Sequence, residues 1–464
     1  MTAGIPRRNA LARAGGLLLL VVLAAYALFN AREDYAYQYA FDLYHPWGIR
    51  AAREAGDGRV NPYTDTARVG ALVAERAEAS SSLALHRAAV FWKIRNAQMR
   101  FEPTGTPFLY ALFAFLPHDY DAAHLLFVVL QFAAVAAGVY LLGRQRGGRP
   151  LACLCLAAFV WATFNPFTQD VKFGNVNSMQ FLAVAAFIAA AHGRAFDRSR
   201  ALDMLYLPAL VLFALAKPNT GLIVLALAAH YALSAGGQRL VRAAILSLVA
   251  LVAGVLVGIG YLGDTHAWID WYRYTQGMNG GTLLYTAREG NLSIVKMLSE
   301  TGQAKLGVAG YSAAVALVLA AAMLLALSER GRAPRKILPG IVAVLEDPWL
   351  AASIAVLATF AVSPLMWPHY WVLALVPLMR FFRWHGRWDV ASGCAVLAYA
   401  LLSRPVLGAI YDPARAAAIY TFMMFSWTPL LVALTAELAV LRTGDAAGAR
   451  FTLSDKPIGG VSKP

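Results

Sequence analysis

Long apolar segments recur along the whole chain, and they limit its fold more than any other feature. A helix needs about 20 mostly apolar residues to cross the hydrocarbon core of a bilayer. The longer runs, several of which reach that length, are 15–29, 122–142, 151–164, 179–191, 243–262, 308–327, 349–362 and 417–441. Shorter runs at 204–216, 221–235, 370–382 and 390–402 count as spans once the polar residues around them are considered. The sequence therefore predicts an all-α polytopic membrane protein with about twelve transmembrane helices.

Composition agrees with a membrane protein. The chain is 59% hydrophobic and only 14% charged, and its mean hydropathy is +0.55, which excludes an ordinary soluble domain. The first run follows Arg7, Arg8 and Arg13, as the apolar part of a signal peptide would. An uncleaved first span is the favoured interpretation, because no small-x-small cleavage site follows the run.

The net charge of +14 is distributed in a way that indicates orientation in a membrane. With about twelve spans and the N-terminus inside, just over half of the 40 basic residues, Arg380 among them, fall in cytoplasmic segments. The short outer loops carry only Lys172, Lys217, Arg404 and Arg415. This is the positive-inside pattern. We therefore expect a multi-pass protein of the cell inner (plasma) membrane, with both termini cytoplasmic and no nucleic-acid partner.

A single transmembrane domain is expected over residues 1–464. Residues 30–120 form its first outer loop, 264–306 its second outer loop and 443–464 a cytoplasmic tail. The apolar run 106–116 in the first loop is short for a span, so a re-entrant or interfacial helix is expected there. Connections of unusual length are commonly functional, and the two outer loops are the expected location of the site.

Several polar stretches emerge on this same outer face. Asp42 lies among aromatic residues in "YAYQYAFDLYHPWG", and the turn "KFGNVNSMQF" contains Asn175 and Asn177. Lys217 lies in "ALAKPNTGL" and His369 in "VSPLMWPHYW". Each has a simpler interpretation: an aromatic belt around a solvated aspartate, a snorkelling lysine or an interfacial histidine. Their convergence on one face favours a functional site.

The order of these stretches resembles a known family. "FDLYHPWGIRAA", "EPTGTPFLYALFAFLP", "KFGNVNSMQFLAVAAF", "ALAKPNTGLIVL" and "AVSPLMWPHYWVLALVPL" follow one another over about residues 35–385. They resemble the GT-C glycosyltransferases and, more closely, glycosyltransferase family 87, of the polyprenyl-phosphate-mannose-dependent type. The resemblance implies a GT-C-type bundle, a polyprenyl-phosphate-sugar donor used on the outer face, and an outer-face lipid or glycan acceptor. Mannose is the first expected sugar and arabinofuranose the second.

The resemblance also implies site residues. Asp42 corresponds to the catalytic aspartate of the first outer loop, Lys217 to a basic residue before a proline, and His369 to the histidine of an "SPxxWxHYW"-like motif. Further candidates for binding the donor phosphate or the substrate are Tyr44, His45, Glu102, Asn175, Asn177 and Arg404. The chain departs from the family pattern where "FEPTGTP" replaces a Tyr-Pro-Pro sequence and "GNVNS" replaces a Gly-Gln-x-Asn form.

The expected chemistry needs no cofactor. A carboxylate would remove the proton of the acceptor hydroxyl, and fixed cations would stabilise the departing lipid phosphate. No phosphate loop or dinucleotide fingerprint is present. Asp119 and Asp121 form an Asp-x-Asp that is a weak candidate for a metal, although capping of the following helix is the favoured role.

Two other functions compete with this one. A multi-span secondary transporter would place ionisable residues at mid-membrane, whereas here the spans are nearly free of charge. A lipid-diphosphate-dependent glycan ligase would also act on the outer face, and the identity of the donor lipid separates it from the first interpretation.

Overall fold

The computed structural model describes residues 5–36, 41–56, 58–95, 101–192, 198–280, 337–363, 366–382, 389–409 and 425–443, together with a few isolated positions. Its regular elements in these ranges are all helical. The first half of the chain contains α1 (Ile5–Ala36), α2 (Phe41–Ala55), α3 (Thr66–Glu78), α4 (Leu83–Arg95), α5 (Pro107–Leu112), α6 (Tyr120–Gln145), α7 (Pro150–Thr163), α8 (Asn165–Phe173), α9 (Asn177–His192) and α10 (Arg200–Ala216).

The second half begins with a 3₁₀ turn (Pro218–Thr220) and continues through a second 3₁₀ segment (Pro368–Ala374). Its α-helices are α11 (Gly221–Ser234), α12 (Gly237–Leu262), α13 (Ala267–Gly280), α14 (Ile337–Glu346), α15 (Pro348–Val362), α16 (Leu375–Phe381), α17 (Val390–Leu401), α18 (Arg404–Ala409) and α19 (Trp427–Thr443).

Three stretches of the described helices are long and apolar enough to cross a membrane: Arg13–Asn30, Tyr120–Gln145 and Gly237–Leu262. Gly340–Glu346 and Pro348–Val362 would make a fourth if this pair, bent by 104°, is one broken span. The shorter predicted runs that the structure describes are also helical, but length alone does not assign them as spans. The count of about twelve stays a prediction, and the predicted span 308–327 lies almost wholly outside the described residues.

The exposed surface of α12 supports a membrane environment. Its outward side chains are almost all aliphatic, and Ile245, Leu248, Val249, Val252 and Leu256 are each about half exposed or more. Burying such a face stabilises a helix through apolar area removed from water, and nothing in the described part of the chain covers it. The long apolar helices therefore identify a membrane protein.

The described residues of the predicted first outer loop include α2–α5, and their core also contains the start of α6 and the end of α12. The expected re-entrant helix is only the six-residue α5, whose N-cap Thr106 accepts a hydrogen bond from the Leu109 amide. Gly258 lets α12 approach this helix closely, because a Cβ there would lie 2.9 Å from Cβ of Pro107. The short helix is consistent with a segment that does not cross the membrane.

Arg380 forms a buried ionic cluster with Asp347 and Glu437. Arg380 Nη2 donates to Asp347 Oδ2 at 2.8 Å, and its Nη1 lies 3.2 Å from Glu437 Oε2. Arg146 donates to the Arg380 carbonyl oxygen and holds its guanidinium over the Trp349 ring. Arg380, expected in a cytoplasmic loop, is thus buried inside α16, because two carboxylates compensate its charge.

Candidate active site

Four separate segments meet at one polar site. They are the first turn of α2 with Asp42, the turn between α8 and α9 with Asn175, the turn after α10 with Lys217, and the second 3₁₀ segment with His369. α8 packs directly against that 3₁₀ segment, and α2 contacts α8. The structure therefore brings together residues from four of the stretches that the sequence had singled out.

Asp42 is partly accessible. About a third of its side chain is exposed, whereas its neighbours from Leu43 to Ile49 are buried. Its Oδ2 accepts a hydrogen bond from Asn175 Nδ2 at 2.6 Å. A carboxylate held in place at one oxygen and partly open to its surroundings fits the geometry of a general base.

The turn that presents Asn175 depends on a glycine. Gly174 ends α8 with φ of 64°, in the left-handed region that glycine adopts readily. The backbone N–H of Asn175 then donates to the backbone carbonyl oxygen of Asp170. This turn directs the Asn175 side chain back toward Asp42, where the residue is buried.

His369 is buried beside the aspartate without contacting it directly. Its Nε2 lies 3.9 Å from Asp42 Oδ2 and 3.2 Å from Asn175 Nδ2. Burial, and then the positive charge of Lys217, lower the pKa of His369 to about 3, so the ring is neutral at ordinary pH. The amide hydrogen of Asn175 therefore points to the Nε2 lone pair, which assigns the ring proton to Nδ1.

Hydrogen bonds of the Lys217 backbone fix the turn that carries this lysine. Its amide donates to the Phe213 carbonyl oxygen, and its carbonyl oxygen accepts from the amide and hydroxyl of Thr220. The pKa of the lysine is lowered overall. Burial lowers it, and the nearby carboxylates of Asp42 and Asp170 offset part of that effect. The charges of Lys217, Asp42 and Asp170 are thus close enough to influence one another.

Asp170 and Gln131 belong to this site and were not predicted from the sequence. Both are completely buried, and Gln131 donates to the carbonyl oxygens of Asp170 and Asn175 at 2.9 and 2.7 Å. Burial raises the pKa of Asp170 to about 7, against hydrogen bonds from Ser178 and Asn177 that lower it. The available signal was an aspartate in the short polar stretch "TQDVKFGNVNS" between apolar segments, since a buried carboxylate needs polar partners.

The other predicted site residues lie in α2, in the segment before α5 and at the start of α18. Tyr44 and His45 are buried, with ring centroids 6.1 and 5.1 Å from that of Phe101. Glu102 follows Phe101 and is half-buried. Arg404 begins α18, just after Ser403, which pairs with Phe164 at the junction of α7 and α8. Substrate-binding roles for these four stay predictions.

The Asp-x-Asp pair is occupied by local hydrogen bonds. Asp119 caps α6 by accepting from the Ala122 amide at 2.7 Å, which confirms the favoured role. Asp121 accepts from the Ser82 hydroxyl at 2.6 Å. Within the described ranges, no group of three or more His, Cys, Asp or Glu side chains is placed to hold a metal ion.

Comparison with known proteins places this chain in a family. The model of glycosyltransferase family 87 matches residues 102–348, which is more than half of the chain. The matched region includes Glu102, Asn175, Asn177 and Lys217, whereas Asp42 and His369 lie on either side of it. Neither the curated proteins nor the solved structures contain a match to this chain. With its long apolar helices and this match, the chain belongs to glycosyltransferase family 87 and is a membrane glycosyltransferase.

Proposed function

We propose that this glycosyltransferase takes its sugar from a polyprenyl-phosphate donor and transfers it with inversion to a hydroxyl of a lipid or glycan acceptor. Asp42 is the proposed base and Lys217 the proposed cation for the donor phosphate. The observation that carries the proposal is a partly exposed carboxylate at the start of α2 whose charge acts on a partly buried lysine in the turn after α10, beside apolar helices. The resemblance of the motifs adds mannose as the first sugar to test.

The chemistry follows from the two charges. Asp42 accepts the proton of the acceptor hydroxyl as its oxygen attacks the anomeric carbon. The bond from that carbon to the phosphate oxygen breaks, and the departing polyprenyl phosphate gains negative charge close to Lys217. A cation in a partly dehydrated site stabilises that charge more than one in water. Attack opposite the leaving group inverts the configuration.

The proposed setting is the inner membrane, with the active site on the outer face and both termini in the cytoplasm. The basic loops support this orientation. A lipid donor fits such a site, because its polyprenyl chain stays in the bilayer while its phosphate reaches the turns of the bundle.

A donor panel tests the proposal. Purified protein is incubated with radiolabelled polyprenyl-phosphate mannose, polyprenyl-phosphate arabinofuranose, a polyprenyl-diphosphate glycan and a nucleotide sugar, each with a membrane lipid extract as acceptor. We expect transfer from a polyprenyl-phosphate sugar, and loss of that transfer in Asp42→Asn. Transfer from the diphosphate alone would identify the glycan ligase, and transfer from the nucleotide sugar alone would also refute the proposal.

A further inference from the structure

The Asp170 carboxylate accepts hydrogen bonds from four donors. Its Oδ1 accepts from Asn177 Nδ2 at 2.9 Å. Its Oδ2 accepts from the backbone amide and the hydroxyl of Ser178, at 2.9 and 2.5 Å, and from Gln131 Nε2 at 3.3 Å. These donors favour the ionised form of Asp170, and an ionised carboxylate can only accept, so the atom of Asn177 that faces it is the amide nitrogen.

That assignment fixes the next amide in line. Asn177 Nδ2 also lies 3.0 Å from Asn175 Oδ1, and the Val176 backbone amide donates to the same oxygen at 2.7 Å. Two donors converge on this atom of Asn175, so it is the oxygen. The nitrogen of the side chain is thereby turned to the opposite side, toward Asp42 and His369.

The reversed amide would be unfavourable at both ends. Its oxygen would face the Asp42 carboxylate, and the buried Asn177 nitrogen would face another donor. Leaving a buried polar group without a partner is unfavourable, and more so next to a charge. The series of hydrogen bonds from Asp170 through Asn177 to Asn175 therefore has one favourable arrangement of donors and acceptors.

We infer that Asp170 and Asn177 are positioning residues, which set the Asn175 amide so that its nitrogen holds the base Asp42 and its neighbour His369. Neither residue touches the substrate in this inference. It rests on the proposed function, since it takes Asp42 as the base. The consequence is that reversing the polarity of the Asp170–Asn177 pair reduces turnover even when the pair itself stays hydrogen-bonded.

The test is an exchange of the two side chains. In Asp170→Asn, the new amide accepts from Ser178 and turns its nitrogen to Asn177, so Asn177 and then Asn175 must reverse. We expect kcat to fall about 10- to 100-fold, as when a partner that orients a functional group is lost. The KM for the lipid donor should stay within about threefold, and the melting temperature in detergent should drop.

The double variant Asp170→Asn/Asn177→Asp then separates positioning from folding. It keeps the net charge and restores the hydrogen bond between the two positions, so at least about half of the lost melting temperature should return. The carboxylate introduced by Asn177→Asp can only accept, however, and the Asn175 oxygen stays directed at Asp42. We expect kcat to remain low. Recovery of kcat together with stability would overturn the inference and leave Asp170 a purely structural residue.

Asn175→Asp covers the case in which the exchange variants do not fold. It leaves Asp170 and Asn177 paired and keeps the side-chain shape, but it replaces the donor that faces Asp42 with a carboxylate, so the hydrogen bond is lost and a like charge is added beside the base. Its kcat should fall about 10- to 100-fold, and a kcat within about threefold of wild type would contradict the inference. Failure of the proposed function looks different: Asp42→Asn would then remain active, or wild type would not use the polyprenyl-phosphate donor.

Discussion

Nε2 of His369 lies 3.9 Å from Oδ2 of Asp42, and the Asn175 side-chain nitrogen lies within hydrogen-bonding distance of both. The separation is too long for a direct hydrogen bond, so the histidine does not share its proton with the carboxylate. Asn175 supplies one hydrogen to each. The proposed base is therefore positioned by an amide whose state does not change with pH, and the histidine stays neutral.

This state of His369 predicts a dependence of stability on pH. Its pKa lies below the ordinary value, at about 3, so below about pH 6.5 the unfolded chain binds a proton that the folded protein does not. Its contribution to stability is present above about pH 6.5 and is lost as pH falls toward about 3. Asp170 has the opposite effect on stability. Because its pKa is raised in the folded state, its protonation at low pH favours folding.

The variant His369→Gln isolates the first effect. Glutamine can still accept from Asn175, but it does not titrate. We expect the melting temperature of His369→Gln to fall less than that of wild type between about pH 7 and about pH 4.5, measured in the same detergent. An equal fall in both proteins would mean that His369 does not remain neutral in the folded state.

Lys217 distinguishes a phosphate ligand from a membrane anchor. Lys217→Gln removes the charge, and loss of one donor to a developing negative charge typically costs about 2–4 kcal/mol, or about 10²–10³ in kcat. Lys217→Arg should restore part of this turnover, because the charge returns with a different reach. Turnover is measured with saturating lipid donor. An anchor would tolerate both changes, so a Gln variant within about threefold of wild type would exclude the phosphate role.

The sequence was sufficient to predict most helices and the composition of the site, for physical reasons. Apolar runs become helices because a bilayer leaves few other ways to pair backbone groups. Asp42, Asn175, Lys217 and His369 were expected together because Asp42 lies in the predicted first outer loop and the other three lie in short turns on the same predicted outer face. Their contacts in the structure agree with that grouping, while their chemical roles stay proposals.

The remaining features depend on contacts that no periodic pattern reveals. Tyr44 and His45 are predicted substrate ligands, and their burial in the helix 41–55 could not be read from the sequence. Asp170 acquires its environment only when α8 folds back on α6 and Gln131 reaches its carboxylate. Arg380 lies near the end of the apolar run 370–382, and its burial depends on Asp347 and Glu437, which are distant in sequence.

The orientation of the chain is tested by labelling. After replacement of Cys153, Cys155 and Cys394, single cysteines are introduced at Ser81 in the first outer loop and at Gly331 in a predicted cytoplasmic segment. The positive-inside pattern predicts that an impermeant reagent added to intact cells labels only the first. Labelling of both positions from the same side would contradict the predicted topology.

The most direct test of the account compares two aspartates of the first outer loop. Asp42→Asn keeps the shape of the side chain and its place beside Asn175 but removes the base. Asp65→Asn is the matched control, because Asp65 is exposed and its side chain makes no cap hydrogen bond with α3. With polyprenyl-phosphate mannose or the donor that wild type uses, we predict that kcat falls by about 10² or more in Asp42→Asn, while the protein still inserts and Asp65→Asn behaves as wild type. Near-normal turnover in Asp42→Asn would contradict the account.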